Sequence, residues 1–191
     1  VVCMGVGIPH WVPEVIDKLS RWEAAEINIQ VLSDGQKVNR TQTIKPDEFG
    51  IPQQALKRPL FLAIISSEII GKSLLRRSNG TINGFVVENY SAGGHNAPPR
   101  QKNATSRDDY NETDLPNLHR IAALDLPFWL AGSFSSPSQF QIALDSGAHG
   151  VQIGTPFAFC QDSGMDDTVR QDAIQHIIED RTQLETDFKA S

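Results

Sequence analysis

The stretch Gly84-Phe85-Val86-Val87-Glu88-Asn89-Tyr90-Ser91-Ala92-Gly93-Gly94-His95-Asn96-Ala97-Pro98-Pro99-Arg100 decides the fold. It opens on a short apolar run with no polar alternation, the pattern of a strand buried on both faces, as in a parallel sheet. The run leads into glycines, which have no Cβ and tolerate positive φ, so the backbone can turn sharply and approach a flat ligand. One histidine follows at this strand exit, and two prolines stiffen the segment beyond it. Such an exit is where an α/β protein would build a site, which makes Gly93, Gly94 and His95 candidate site residues.

Further apolar runs stand on either side, at Val1 to Gly5, Leu60 to Ser66, Phe128 to Ala131 and Gly150 to Ile153. Segments with helical period separate them: Pro13 to Arg21, Glu68 to Arg77, Leu115 to Leu124, and Pro137 to Asp145, whose Phe140, Ala143 and Leu144 share a face. This alternation predicts βα units around a parallel sheet, an α/β fold. Glu26 to Leu32 and Lys37 to Ile44 flank Ser33-Asp34-Gly35-Gln36, and Asp-Gly between alternating segments is a hairpin signal. A β-hairpin insertion over about 26–44 is therefore expected outside the main sheet. Gln101 to Asp114 is polar and without period, which predicts a long surface loop. Asp167 to Phe188 is expected as an outer amphipathic helix, packing Val169, Ala173, Ile174, Ile177, Ile178 and Leu184 on the outside of the sheet.

At 191 residues, with 39% hydrophobic residues before its 14 glycines are added, the chain has enough apolar matter for one domain with a real core. Its net charge of −6, and 17 basic residues without a dense stripe, argue against nucleic acid as a partner. Cys3 and Cys160 are lone thiols in apolar segments and form neither a disulfide framework nor a metal-ligand cluster, so a cytoplasmic location is expected and no metal site. No long apolar span points to a membrane, and no stretch reads as a signal peptide. The N-x-S/T sequons at Asn39, Asn79, Asn89, Asn103 and Asn111 are accordingly read as chance occurrences. Val1-Val2-Cys3-Met4-Gly5 reads as the middle of a buried strand, so the chain is expected to be part of something longer.

Leu130-Ala131-Gly132-Ser133-Phe134 follows one strand and Ile153-Gly154-Thr155-Pro156-Phe157 the next, with a single helix between. In a (β/α)8 barrel the loops after the last two strands form a phosphate cradle from backbone N–H groups. The plain alternative is that Gly132 and Gly154 merely end strands. Gly5-Val6-Gly7-Ile8-Pro9-His10 lacks the third glycine of a dinucleotide fingerprint, and Pro9 and Pro13 interrupt it. His95 is open to three readings: general base, polar ligand clamp, or structural loop histidine. Glu88, at the end of the same strand, is read as a supporting carboxylate. His10, His119, His149 and His176 have no helper motifs, and there is neither a G-x-S-x-G elbow nor a Walker loop.

Taken together, Gly84 to Glu88, Ser91 to Arg100, Pro127-Phe128-Trp129-Leu130-Ala131-Gly132 and Gly150 to Cys160 resemble the nitronate monooxygenase, or 2-nitropropane dioxygenase-like, family. The resemblance covers nearly the whole chain; Phe61 to Ser67 and Val1 to Pro9 also look like family strands. It implies an FMN-dependent TIM barrel of which residues 1–191 are the C-terminal part of one domain, a partial barrel with roughly the fourth to eighth strands. It also implies that His95 is the catalytic base and that Gly93, Gly94, Gly132, Ser133, Gly154 and Thr155 meet FMN, with Gly132, Gly154 and Thr155 at its phosphate. The implied reaction is oxidation of alkyl nitronates or nitroalkanes, with a small-molecule substrate and dioxygen as partners. A flavin-dependent enoyl-thioester reductase shares the barrel and the Gly-Gly-His exit and is the alternative enzyme; a truncated, non-catalytic barrel is the alternative without chemistry.

Two features depart from the family pattern. Ala131-Gly132-Ser133 stands where relatives usually carry Ala-Gly-Gly, which leaves open a weaker phosphate grip or a hydroxyl that joins in. The first three strands expected of the family are missing, so the chain is expected to leave a barrel with two unpaired edges, its partner being the missing N-terminal part of the same barrel.

Overall fold

The structure, a computed structural model, describes residues 1–5, 10–33, 35–54, 56–101, 109–182 and 186–187, with the backbone alone at 94–95 and 186–187. In chain order its elements are β1 (Val2–Met4), α1 (Val12–Ser20), β2 (Ala25–Ser33), β3 (Gln36–Ile44), β4 (Phe61–Ile65), α2 (Glu68–Arg77), β5 (Gly84–Glu88), β6 (Gly94–His95), α3 (Leu118–Ala122), β7 (Phe128–Ala131), α4 (Pro137–Asp145), β8 (Gly150–Gln152), α5 (Thr155–Ala158), α6 (Asp167–Ile178) and β9 (Thr186–Asp187). Five strands form one sheet in the order β1-β4-β5-β7-β8, while β2 with β3, and β6 with β9, form two-stranded ladders. The alternation of parallel strands with helices is the α/β architecture that the apolar runs predict, and it agrees with the partial TIM-like barrel that the resemblance implies. Close packing divides the chain into two compact units, Val1–Ile64 with Ile69–Gly84, and Ile65–Glu68 with Phe85–Ser191.

In the first unit β1 runs parallel to β4, with Val2 opposite Phe61 and Met4 opposite Ala63. Helix α1 starts with Pro13 in its first turn, where the missing N–H is no loss, and buries Val12, Pro13 and Val15. Its last turn closes as a Schellman motif: Glu23 N–H reaches Lys18 O at 2.9 Å and Trp22 N–H reaches Leu19 O at 3.1 Å. Trp22 takes the left-handed position at φ 64°, which an aromatic residue rarely occupies. Its indole Nε1–H donates to Asp47 Oδ1 at 2.8 Å, a bond that holds it there. The hairpin β2–β3 pairs antiparallel from Ala25 opposite Ile44 to Ser33 opposite Gln36, so its loop is residues 34–35, of which Asp34 lies outside the described residues.

Arg58 ties this unit together. Its guanidinium is ion-paired to Asp17 on α1 and donates to Asn83 Oδ1 at 2.7 Å, Pro59 O at 2.7 Å and Thr81 O at 2.6 Å. Asp17 also accepts the Thr81 N–H at 3.0 Å, and Asn83 Oδ1 accepts the Phe61 N–H at 2.8 Å at the start of β4. One side chain thereby fixes a helix, a strand start and the 81–83 segment.

The core of the second unit is the parallel trio β5, β7 and β8. Phe85, Val86 and Val87 are buried on β5, and Phe128, Leu130 and Ala131 on β7. Each large side chain so buried stabilises by about 2 kcal/mol. Register is Phe85 opposite Phe128 through Glu88 opposite Ala131, and Trp129 opposite Gly150 through Ala131 opposite Gln152. Gly150 has no side chain because its neighbour needs the room: a Cβ there would meet the Trp129 ring at 3.0 Å.

Expectations for three helices need correction. Helix α6 stops at Ile178 rather than running towards 188, because Asp180 turns left-handed at φ 53° while Arg181 N–H caps His176 O at 2.9 Å. Its predicted stripe holds only in part: Ala173 and Ile174 are half-buried, Val169, Ile177 and Ile178 are exposed, and the fully buried residue is Arg170, paired to Asp167 Oδ1 at 2.5 Å. Leu184, and 102–108 of the expected long loop, lie outside the described residues. On α4 only Ala143 of the predicted face is buried, the small residue on the helix that packs on β8, while Phe140 and Leu144 stay exposed. The 115–124 helix shortens to α3 because Pro116 cannot donate and Asn117 takes the N-cap, its Oδ1 accepting from Arg120 N–H at 3.0 Å.

Replacing Arg58 with methionine strands the Asp17 carboxylate and the Asn83 acceptor. The expected loss is about 3 kcal/mol of stability in a urea titration; a loss below about 1 kcal/mol would mean the guanidinium is held no better than a surface ion pair.

Candidate functional site

Equal register of the three parallel strands brings their C-terminal residues, Glu88, Ala131 and Gln152, to one edge of the second unit. The segments leaving the strands are therefore gathered there: Asn89 to His95 after β5, Gly132-Ser133 after β7, and Ile153-Gly154-Thr155 after β8. Brought together in this way are the exits that carry Gly93, Gly94, His95, Gly132, Ser133, Gly154 and Thr155.

The β5 exit is built by two asparagines. Asn89 Oδ1 accepts the Ser91 N–H at 2.7 Å and caps a single 3-10 turn, Tyr90–Ala92, in which Ala92 N–H reaches Asn89 O at 3.0 Å. Asn96 Nδ2 then donates to Asn89 O at 2.8 Å and closes the loop on itself. Gly93 sits at φ 75° and ψ 175°, a conformation essentially reserved for glycine, so this position cannot take a side chain without strain. Beyond it the backbone of β6 pairs in parallel with β9, Gly94 opposite Thr186 and His95 opposite Asp187. The His95 imidazole lies outside what the structure describes.

The β7 exit leans on this turn. Gly132 has φ 89°, and a Cβ there would lie 2.8 Å from Ala92 N and 3.0 Å from Ser91 Oγ, so the fold itself demands glycine. Ser133 is also left-handed, at φ 62°, and its side chain is exposed. Gly154 is different. Its φ of −113° is open to any residue, a Cβ there would meet nothing within 4 Å, and as N-cap of the short α5 it supplies no side-chain acceptor to the first turn. Nothing within the described chain explains why this residue is glycine, and next to it Thr155 is exposed.

Glu88 gains weight in the structure. Its half-buried carboxyl has no hydrogen-bond or ion-pair partner among the described residues, and burial pushes its pKa up from the usual carboxylate value. By alternation it shares a face with Val86, and its register partner Ala131 shares that face with Trp129. A carboxyl at the rim with a raised pKa is the kind of group found at functional sites. The sequence signal was its place at the strand end; its lack of a partner was not visible there.

A parallel α/β sheet with glycine-rich strand exits on one edge is the architecture of barrel-type α/β proteins, whose sites are generally built at the strand C-termini. Within that class the nitronate monooxygenase family model matches residues 22–191, and the chain belongs to this family. Membership makes it an oxidoreductase by family, of a kind that is generally flavin-dependent and folded as a TIM barrel. No curated protein matches the chain. Among the described residues no cluster of histidine, cysteine and carboxylate side chains could hold a metal ion, and no helix is long and apolar enough to cross a membrane.

Because the folded-state pKa of Glu88 is raised, the native state holds this proton more tightly than the unfolded chain. The penalty for ionising it is absent below the unfolded value of about 4.3 and grows as pH rises through the folded value. Glu88→Gln is expected to match the parent in melting temperature at pH 4 and to exceed it at pH 7. Equal curves at both pH values would show that the carboxyl is fully solvated.

Proposed function

We propose that the protein is an FMN-dependent oxidoreductase that oxidises alkyl nitronates or nitroalkanes with dioxygen. The observation that carries this reading is the family match over residues 22–191. The shared register of β5, β7 and β8 supports it, because it gathers the glycine exits a flavin phosphate would need. The residues present fit that group: Gly154 leaves open space beside the first turn of α5, and the exposed Thr155 and Ser133 offer hydroxyl donors.

In this reading Gly132, Ser133, Gly154 and Thr155 hold the phosphate with backbone N–H and hydroxyl groups. Gly93 and Gly94 let the main chain approach the flat ring system. FMN, when bound, supplies the redox chemistry by taking up electrons and yielding them to dioxygen. His95 accepts the proton α to the nitro group of a neutral nitroalkane, a step for which an imidazole titrating near neutrality is suited. Ladder pairing of its backbone with β9 fixes the chain at the base. A preformed nitronate has already lost that proton and does not need the step.

The purified protein is expected to be yellow and to release FMN on denaturation; a colourless protein that fails to take up added FMN would contradict the assignment. In the FMN-loaded protein His95→Ala is expected to slow turnover of a neutral nitroalkane by about 10²- to 10⁴-fold, and to spare the preformed nitronate. Loss of both activities to the same degree would remove His95 from the proton step.

The two strand-exit glycines separate fold from ligand. Gly132→Ala is expected to destabilise by about 2 kcal/mol or more, through positive φ and collision with Ala92. Gly154→Ala is expected to change stability by less than about 0.5 kcal/mol and to weaken FMN binding about tenfold in an equilibrium titration. Unchanged affinity would take Gly154 out of the phosphate site.

A further inference from the structure

Next to the β5 exit the second unit holds a cavity of about 120 Å³, bounded by Ser66 beyond β4, Tyr90, Asn96, Arg100, Tyr110 and Asp114. The proposed flavin contacts do not use it. Its wall is the stacked pair Tyr90 and Tyr110, with ring centroids 4.9 Å apart and planes 19° from parallel. Tyr110 O–H donates to Ala97 O at 2.7 Å, which fastens that wall to the segment after His95.

The acceptors around the cavity are committed. Asp114 Oδ1 accepts the Arg100 N–H at 2.6 Å and its Oδ2 the Asn111 N–H at 2.9 Å. Asn96 Oδ1 accepts the Ala97 N–H at 3.1 Å, while its amide donates to Asn89 O. Donor capacity is left uncommitted: the Ser66 hydroxyl and the Arg100 guanidinium make no hydrogen bond or ion pair with any described residue. Arg100 is nevertheless well anchored, because Pro98 and Pro99 fix the backbone before it and Asp114 grips its own N–H.

We propose that this cavity is an anion subsite that takes a small planar oxyanion of carboxylate type, with Arg100 as its fork and Ser66 as a second donor. An oxyanion, which only accepts hydrogen bonds, matches the donors that Arg100 and Ser66 hold uncommitted among the described residues, and a guanidinium meets two coplanar oxygens bidentately. The cavity has room for a ligand of a few heavy atoms. Asp114 carries the one opposing charge, blunted by its two N–H donors, so the anion must sit on the guanidinium side. Asn96 directly follows His95 in the chain, so the subsite shares its strand exit with the proposed base, yet the inference stands on the cavity and not on the flavin reading.

Acetate and its neutral near-isostere acetamide test it, followed by the NMR signal of Arg100 Nε–H in isotope-labelled protein, with or without FMN. Acetate is expected to shift that signal saturably in the millimolar range and acetamide to leave it in place. Arg100→Gln should weaken acetate binding, followed by shifts of the neighbouring backbone amides, about tenfold or more. Arg100→Lys should retain part of it, as a point charge without the fork. Equal response to acetate and acetamide, or undiminished acetate binding in Arg100→Gln with an otherwise parental spectrum, would overturn the proposal. Because no turnover or flavin is needed, failure here leaves the flavin assignment untouched, and failure of that assignment leaves this result standing.

Discussion

The parallel hydrogen-bond ladder that joins β5 to β7 and β7 to β8 is the constraint on which the candidate site rests. A parallel ladder fixes which residues lie abreast, and here it sets Glu88, Ala131 and Gln152 side by side. Side-chain shape holds that register, since a slip by one residue would swap Phe85 and Val86 between the two faces and set bulk where the core has no room to spare. Everything that acts beyond the strands inherits its position from this alignment. The three exits lie along one edge because the strands end abreast, and those of β5 and β7 touch at Ala92 and Gly132.

The exits then divide into those shaped by the fold and those open to a ligand. Gly93 and Gly132 are glycines for reasons internal to the chain, one through its backbone angles and the other through the Ser91-Ala92 turn pressed against it. Gly154 has no such reason and faces open space. A residue type unexplained by its own fold is a stronger pointer to an external group than a glycine-rich motif is. The same logic applies to Glu88, half-buried with no partner among the described residues, and to Arg100, whose anchored backbone carries an exposed guanidinium that no described residue engages. Family membership supplies the class of chemistry, and these residues are where the proposed ligand contacts are drawn.

Much of this was legible in the sequence where one strong physical term acted alone. The sheet strands were, because short apolar runs alternate with helical segments; β4, β5 and β7 are buried as expected, whereas β1, with Cys3 exposed, is not the buried strand its sequence suggests. So was the hairpin, through Asp-Gly between alternating segments. Failures came where partners distant in sequence decide the outcome. Arg170 goes inside because the Asp167 carboxylate pairs with its guanidinium and the Gln161 carbonyl accepts from it at 3.5 Å, so a hydrophobic stripe misjudged that helix. Asn89-Tyr90-Ser91 and Asn111-Glu112-Thr113 looked like idle sequons, yet each asparagine caps a short turn, accepting from Ser91 N–H at 2.7 Å and from Thr113 N–H at 3.0 Å. An asparagine two residues before a serine or threonine is a turn signal as well. Pairing of β6 with β9, and the Tyr90–Tyr110 stack, had no local sequence signature at all.

Alignment of the strand ends predicts one contact that no other register would produce. In Gly132 the α-hydrogen that occupies the Cβ direction points at the Ala92 amide. A nuclear Overhauser measurement on labelled protein should give a strong cross-peak between that α-proton and the Ala92 amide proton, alongside cross-strand peaks linking Val86 with Trp129. If the cross-strand peaks instead pair β5 and β7 in a shifted register and the Gly132–Ala92 peak is missing, the exits do not share an edge, and the candidate site does not exist.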